Sequence, residues 1–330
     1  LTVAAIARRV GYADAFGFSS AFKRVRGMSP SAYRRTAVGG AAAPGAPPTP
    51  PPPPPPPPPA PPPPPPAAPG SAQLPGGLVA TEAGYTLALD NATTTTSADA
   101  KLRFRILDET GAPVTRYVRS HDKDLHLIVV RRDMAAFQHV HPELDANGNW
   151  SVPLNLSRAG DYRVYADFTP EGGQALTLGA DLRVAGQYDV QPLPAPATST
   201  TIGDYTVTLD GAITPGQASK VTLSVSRDGQ PVTDLQPYLG AYGHLVALRA
   251  SDLAYLHVHP EGEPGDGVTA AGPGITFYVT APTTGDYRLF LDFQHEGVVR
   301  TAEFTATAGP ASKTAAPDAD HGTEQPGHGH

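Results

Sequence analysis

Six of the eleven histidines fall into two copies of one spacing. The first is His126, twelve residues, then His139-Val140-His141-Pro142-Glu143; the second is His244, twelve residues, then His257-Val258-His259-Pro260-Glu261. The chain has no cysteine, so disulfides, thiolate zinc sites, iron–sulfur clusters and cysteine nucleophiles are excluded. Histidine is then the strongest ligand available for a borderline metal. Three neutral imidazoles suit zinc or copper(II), with water, Glu143 or Glu261 completing the shell. Copper(I) is less favoured without thiolate, although Met134 lies in the first intervening turn.

The spacing places these side chains through β-hairpins. LHLIVV (125–130) and FQHVH (137–141) flank RRDMAA, while HLVAL (244–248) and YLHVH (255–259) flank RASDLA. Pairing Val130 with Phe137 sets Ile128 opposite His139 and His126 opposite His141. Pairing Leu248 with Tyr255 likewise sets His244 opposite His259. Side chains alternate with period two, so three imidazoles converge at one end of each hairpin. Val130, Ile128 and Phe137 make the other end of that face apolar, which keeps the imidazoles neutral and able to ligate. The competing reading is a rim of histidines bonded to carbonyls. His295 stands where only the second copy could recruit it, and His121 lies near the first without a counterpart. His321, His328 and His330 fall in a polar, glycine-rich tail, read either as metal-gathering or as an inert end.

The hairpins belong to a larger duplication. YTLALD (85–90) returns as YTVTLD (205–210), and GDYRVYADF (160–168) as GDYRLFLDF (285–293). Short alternating segments rich in β-branched and aromatic residues, bounded by Gly, Pro, Asp and Asn, predict two tandem Ig-like β-sandwiches in a mainly β chain. Tyr162 and Tyr287 fit the tyrosine corner of such domains. Trp150 and the Asp-Ala-Asn-Gly-Asn turn before it are read as core and hairpin. The H-V-H-P-E elements on Ig-like strands resemble YtkA-like and CopC-like metal-handling proteins, a resemblance that implies copper or heavy-metal binding without catalysis.

The start of the chain differs in kind. Residues 1–38 carry a charge of +6, which leaves −13 for the rest of a chain whose net charge is −7. Val3, Ile6, Ala7 and Val10 follow a helical period. Asp14 caps a second helix with Ala15, Phe18, Phe22 and Val25 inward, and Ser29-Pro30 opens a third. IARRVGYADAFGFSSAFKRVRGMSPSAYRR resembles the last helix-turn-helix of AraC/XylS-type transcription regulators. The resemblance implies DNA contact through residues 1–36, with Phe16, Ser19 and Ser20 facing bases and Lys23, Arg24 and Arg26 neutralising phosphates. That family carries two such motifs and this chain only one, so weak, salt-sensitive binding is expected. Twenty prolines lie between Pro44 and Pro69. In polyproline II form, residues 47–66 would space the two parts by about 60 Å.

The expected domains are 1–38 (partial helix-turn-helix), 39–78 (proline-rich linker), 79–188 and 201–308 (sandwiches), 189–200 (linker) and 309–330 (tail). No run of about 18 apolar residues spans a membrane. Leu1 in place of methionine fits a fragment or a mis-started frame. A working helix-turn-helix implies the cytoplasm; sandwiches that define the protein imply secretion or the periplasm. No nucleophile–base pair or phosphate-cradling loop points to an enzyme. Three functions follow: a DNA-binding segment joined to sandwiches that bind one copper(II) or zinc ion per copy, an AraC-type regulator whose sandwiches sense metal, or an adhesive tandem sandwich with no metal site. The sequence carries no sign of oligomeric state.

Overall fold

The computed structural model describes residues 75–309 except His257, with the side chain of His259 also left out, and a scatter of positions in residues 1–38. Among the latter, Val3, Ile6, Ser19, Phe22, Lys23, Arg26, Pro30, Ser31, Tyr33 and Arg34 are helical, as the periodicity predicts. The third helix starts at Pro30, and Tyr33 N–H donates to the Ser29 carbonyl at 2.9 Å. Phe16, Ser20, Arg24, the polyproline run and the tail histidines lie outside the described residues.

The rest is mainly β. The first repeat contains β1 (Thr81–Glu82), β2 (Tyr85–Leu89), β3 (Thr93–Thr95), β4 (Ser97–Leu107) and β5 (Leu125–Arg131). It continues with β6 (Gln138–Val140), β7 (Glu143–Leu144), β8 (Trp150–Leu156), β9 (Gly160–Phe168) and β10 (Leu176–Ala185). One sheet has the order β1-β2-β4-β8-β7 and the other β3-β10-β9-β5-β6, antiparallel except where β3 joins β10. The second repeat contains β11 (Ser199–Ile202), β12 (Tyr205–Asp210), β13 (Ala218–Arg227), β14 (Gln230–Pro231) and β15 (Gly243–Arg249). There follow β16 (Tyr255–Leu256), β17 (His259–Pro260), β18 (Gly274–Thr280), β19 (Gly285–His295) and β20 (Val298–Ala308). Its sheets run β11-β12-β13-β18-β17, with β14 on β13, and β16-β15-β19-β20. Each repeat is thus a two-sheet sandwich.

Period-two alternation assigns each inner-strand residue to one of two layers. Leu125, Leu127 and Val129 of β5, with Val164, Ala166 and Phe168 of β9, fill the first sandwich beside Phe104 and Trp150. Leu245 and Ala247 of β15, with Leu289, Leu291 and Phe293 of β19, fill the second. The alternate residues form a third apolar layer between the repeats: Ile128, Val130, Tyr165, Val246, Leu248 and Phe290, joined by Met134, Leu253 and Tyr255. The rings of Phe137 and Phe290 stack across it at 3.9 Å, and the Tyr165 hydroxyl donates to the Leu253 carbonyl at 2.6 Å. β5 is therefore buried along its whole length and β15 along all but its last residue. This explains why both read as near-continuous apolar runs.

The tyrosine corners are present: Tyr162 donates to the Arg158 carbonyl at 2.7 Å and Tyr287 to the Thr283 carbonyl at 2.9 Å. The segment before β1 is tied to both repeats, since Tyr255 N–H donates to the Gly76 carbonyl and Gly77 N–H to the Thr177 carbonyl. No helix among the described residues is long and apolar enough to cross a membrane. Tyr165→Phe removes the only hydroxyl shown donating to the Leu253 carbonyl, so it should lower unfolding free energy by about 1–3 kcal/mol, read as a shift in the urea midpoint.

Candidate metal centre

The hairpin register matches the expectation where the two strands pair: Ile128 lies opposite His139, and Leu248 opposite Tyr255. His126 shares a face with Ile128 and Val130, at the end of the layer between the repeats where apolar side chains give way to polar ones. His141 follows β6, where the chain crosses toward β7 in the other sheet. The second copy departs from its expected pairing. β16 stops at Leu256, and His259 pairs with Tyr278 of β18 rather than standing opposite His244. His257 and the His259 side chain lie outside the described residues, so the second triad is not on view.

The first triad is assembled. His126 Nδ1 lies 3.2 Å from His139 Nε2 and 3.2 Å from His141 Nε2, and one ring nitrogen from each of the three residues falls within 4.8 Å of the others. The outward nitrogens fix the tautomers of two rings. A carbonyl only accepts, so His126 Nε2 carries the proton it donates to the Ser120 carbonyl at 3.0 Å. His139 Nδ1 likewise donates to Asp292 Oδ2 at 2.7 Å. The inward nitrogens of these rings are left as lone pairs facing each other. Lone pairs at that separation favour a shared cation: two nitrogens about 2.0–2.1 Å from a tetrahedral ion stand about 3.3 Å apart.

Burial holds His126, His141 and His244 neutral. It is the largest cause that lowers His126 to about 4, His141 to about 2 and His244 to about 3, with neighbouring imidazoles adding to it. Asp292, 4% exposed, is anchored by the Thr301 hydroxyl, which donates to Oδ1 at 2.6 Å. The Ser120 carbonyl behind His126 and the Asp292 carboxylate behind His139 are the kind of outer partner that orients metal-binding histidines.

One group here escaped the sequence reading, and a second was read as belonging to the other copy. Asp292 comes from β19 of the second repeat, and its signal was the aspartate shared by GDYRVYADF and GDYRLFLDF, on the face opposite the phenylalanine. His244 lies beside this triad, with ring centroids 6.4 Å from His126 and 6.2 Å from His139; it was expected to serve only its own copy. His121 packs 5.0 Å from His244 and 6.2 Å from His126. The supplementary ligands are placed elsewhere. Glu143 is exposed on β7, Glu261 pairs with Lys220 at 3.0 Å, and His295 bridges the Tyr205 hydroxyl at 2.8 Å and Asp234 at 3.1 Å. Of the residues assigned to DNA, Ser19, Lys23 and Arg26 are helical, with Lys23 and Arg26 exposed.

Residues 80–186 and 200–309 match the family described as Domain of unknown function (DUF8832), about two thirds of the chain. The chain belongs to the DUF8832 family. Its two DUF8832 repeats coincide with the two sandwiches. Residues 1–35 match the family described as Bacterial regulatory helix-turn-helix proteins, AraC family. No curated protein matches the chain significantly. Among solved structures, InvD of Yersinia pseudotuberculosis is 13% identical with a TM-score of 0.23, covering 71% of this chain and 61% of its own. The Escherichia coli adhesin FdeC is 18% identical with a TM-score of 0.23, covering 72% and 67%. The chain thus spans about three fifths of the InvD structure.

Because His126, His141 and His244 titrate below their unfolded value near 6.5, the unfolded chain takes up protons that the folded chain refuses. Stability should be flat above pH 7 and fall as the pH drops from about 6.5 toward 4. The loss should be roughly 2 kcal/mol by pH 5 for each of His126 and His244. Urea midpoints measured from pH 8 to 4.5 check this; a pH-independent midpoint would contradict neutral burial.

Proposed function

We propose that the first DUF8832 repeat binds a divalent transition-metal ion, zinc or copper(II), through His126 Nδ1, His139 Nε2 and His141 Nε2, without catalysis. The observation that carries this reading is the pair of 3.2 Å nitrogen separations, with protons directed outward to Ser120 and Asp292. An all-nitrogen donor set of neutral imidazoles suits these two ions and disfavours magnesium or calcium, which prefer oxygen. The resemblance of the H-V-H-P-E elements to YtkA-like and CopC-like proteins points the same way.

Calorimetric titration of zinc and copper(II) tests it on the full chain carrying His321→Ala, His328→Ala and His330→Ala, which removes the tail imidazoles. Saturable binding is expected, and His139→Ala with His141→Ala should abolish the first repeat's share. Undiminished binding in that double variant would overturn the assignment.

The AraC-family match over residues 1–35 supports a second activity, DNA binding through the basic helices. Affinity should rest on phosphate contacts from Lys23, Arg24 and Arg26. It should therefore fall steeply between 50 and 200 mM salt, by about 10-fold or more. Fluorescence anisotropy with two unrelated duplexes reads both the salt slope and the lack of sequence preference. Metal-dependent DNA binding by the intact chain would mark the sandwiches as the sensor of a regulator.

A further inference from the structure

Two groups of the second repeat reach the triad of the first, and they are neighbours on one rung. His244 of β15 and Asp292 of β19 are cross-strand partners. Both belong to the alternate set that faces the first repeat, in line with Val246, Leu248 and Phe290. Asp292 already holds His139. His244 repeats the disposition of His126: its Nε2 donates to the Tyr238 carbonyl at 2.8 Å, as His126 Nε2 donates to Ser120, which leaves Nδ1 as the lone pair. The three triad rings have centroids 5.4, 5.0 and 4.9 Å apart. Imidazoles that share a tetrahedral ion stand about 5.2 Å apart, from metal–nitrogen bonds of about 2.0–2.1 Å. At 6.2 and 6.4 Å from two of these rings, His244 is about an ångström short of that arrangement. Three ligands leave one tetrahedral position open, and Glu143, Glu261 and His295 are not gathered there.

We infer that the metal centre is shared between the repeats, with His244 as its fourth imidazole and Asp292 as the positioning carboxylate that fixes the tautomer of His139. A bound zinc or copper(II) ion then ties the two sandwiches together, and the affinity of the first repeat depends on the second. The inference rests on the triad being a metal centre.

The test uses the full chain with the three tail histidines replaced by alanine, loaded with one equivalent of copper(II) and, separately, titrated with zinc. Nitrogen splittings in the copper paramagnetic resonance spectrum should count four imidazoles, and three in His244→Gln. Asp292→Asn should keep four but weaken zinc about 10–100-fold. The imidazole 15N shifts of metal-free protein should show His139 protonated at Nδ1, and a mixture of tautomers in Asp292→Asn, which a purely structural aspartate would not produce. The four-nitrogen count comes from the unsubstituted centre and stands even if a variant fails to fold. Three nitrogens there, or zinc affinity unchanged in both variants, would overturn the shared centre while leaving the triad intact. No binding at all would overturn the triad and the shared centre together.

Discussion

β5 and β15 must be covered on both faces, because neither strand has a polar side to offer to water over most of its length. One face of each closes its own sandwich. The other face can be satisfied only by an apolar surface of the same shape, and the duplicated sequence supplies one: Ile128, Val130 and Tyr165 from one repeat against Val246, Leu248 and Phe290 from the other. Fully burying a side chain of this size contributes about 1.5–3 kcal/mol, so several such residues outweigh any single polar contact in the layer. The packing of the two repeats follows from that surplus of apolar surface.

Where this layer ends, the same alternation that delivers apolar groups delivers His126, His244 and Asp292. Their chemistry is set by being the last residues of a dry surface. Desolvation lowers the imidazoles and keeps them neutral, and carbonyls and a carboxylate take the outward protons. A ring of the same sequence on an open strand edge would be protonated over part of the ordinary pH range and free to turn. Here it is uncharged and oriented. Neutral, oriented rings are what a ligand set requires, and one carbonyl bond on each of His126 and His244 supplies the orientation.

Much of this was readable in the chain. Alternation and spacing located the hairpins, the Ile128–His139 register, the convergence of the triad and the tyrosine corners, since all of these depend on local geometry with period two. Packing between repeats was not readable, because a continuous apolar strand announces that both faces are covered without naming the cover. Hence His244 was assigned to its own copy, and Asp292, which reaches His139 across 153 positions of sequence, was passed over as a strand residue. The expected pairing of His259 with His244 failed for a related reason. After Leu256 the chain leaves one sheet and joins the other at β17, a crossover that hydrophobic periodicity does not mark.

The Gly76–Gly77 segment sets an order of events during synthesis. Its backbone partners are Thr177 and Tyr255, the second of them roughly 180 residues downstream. At about 5–20 residues per second, translation separates Gly76 from Tyr255 by on the order of ten to thirty seconds. The first part of the folded body to leave the ribosome is therefore fully fastened only once the second repeat reaches Tyr255, and it waits beside a first repeat whose Ile128 and Val130 have no cover until β15 and β19 arrive. Over that interval the nascent chain presents a sticky, half-finished face, which makes the pace of the second repeat's emergence a determinant of yield.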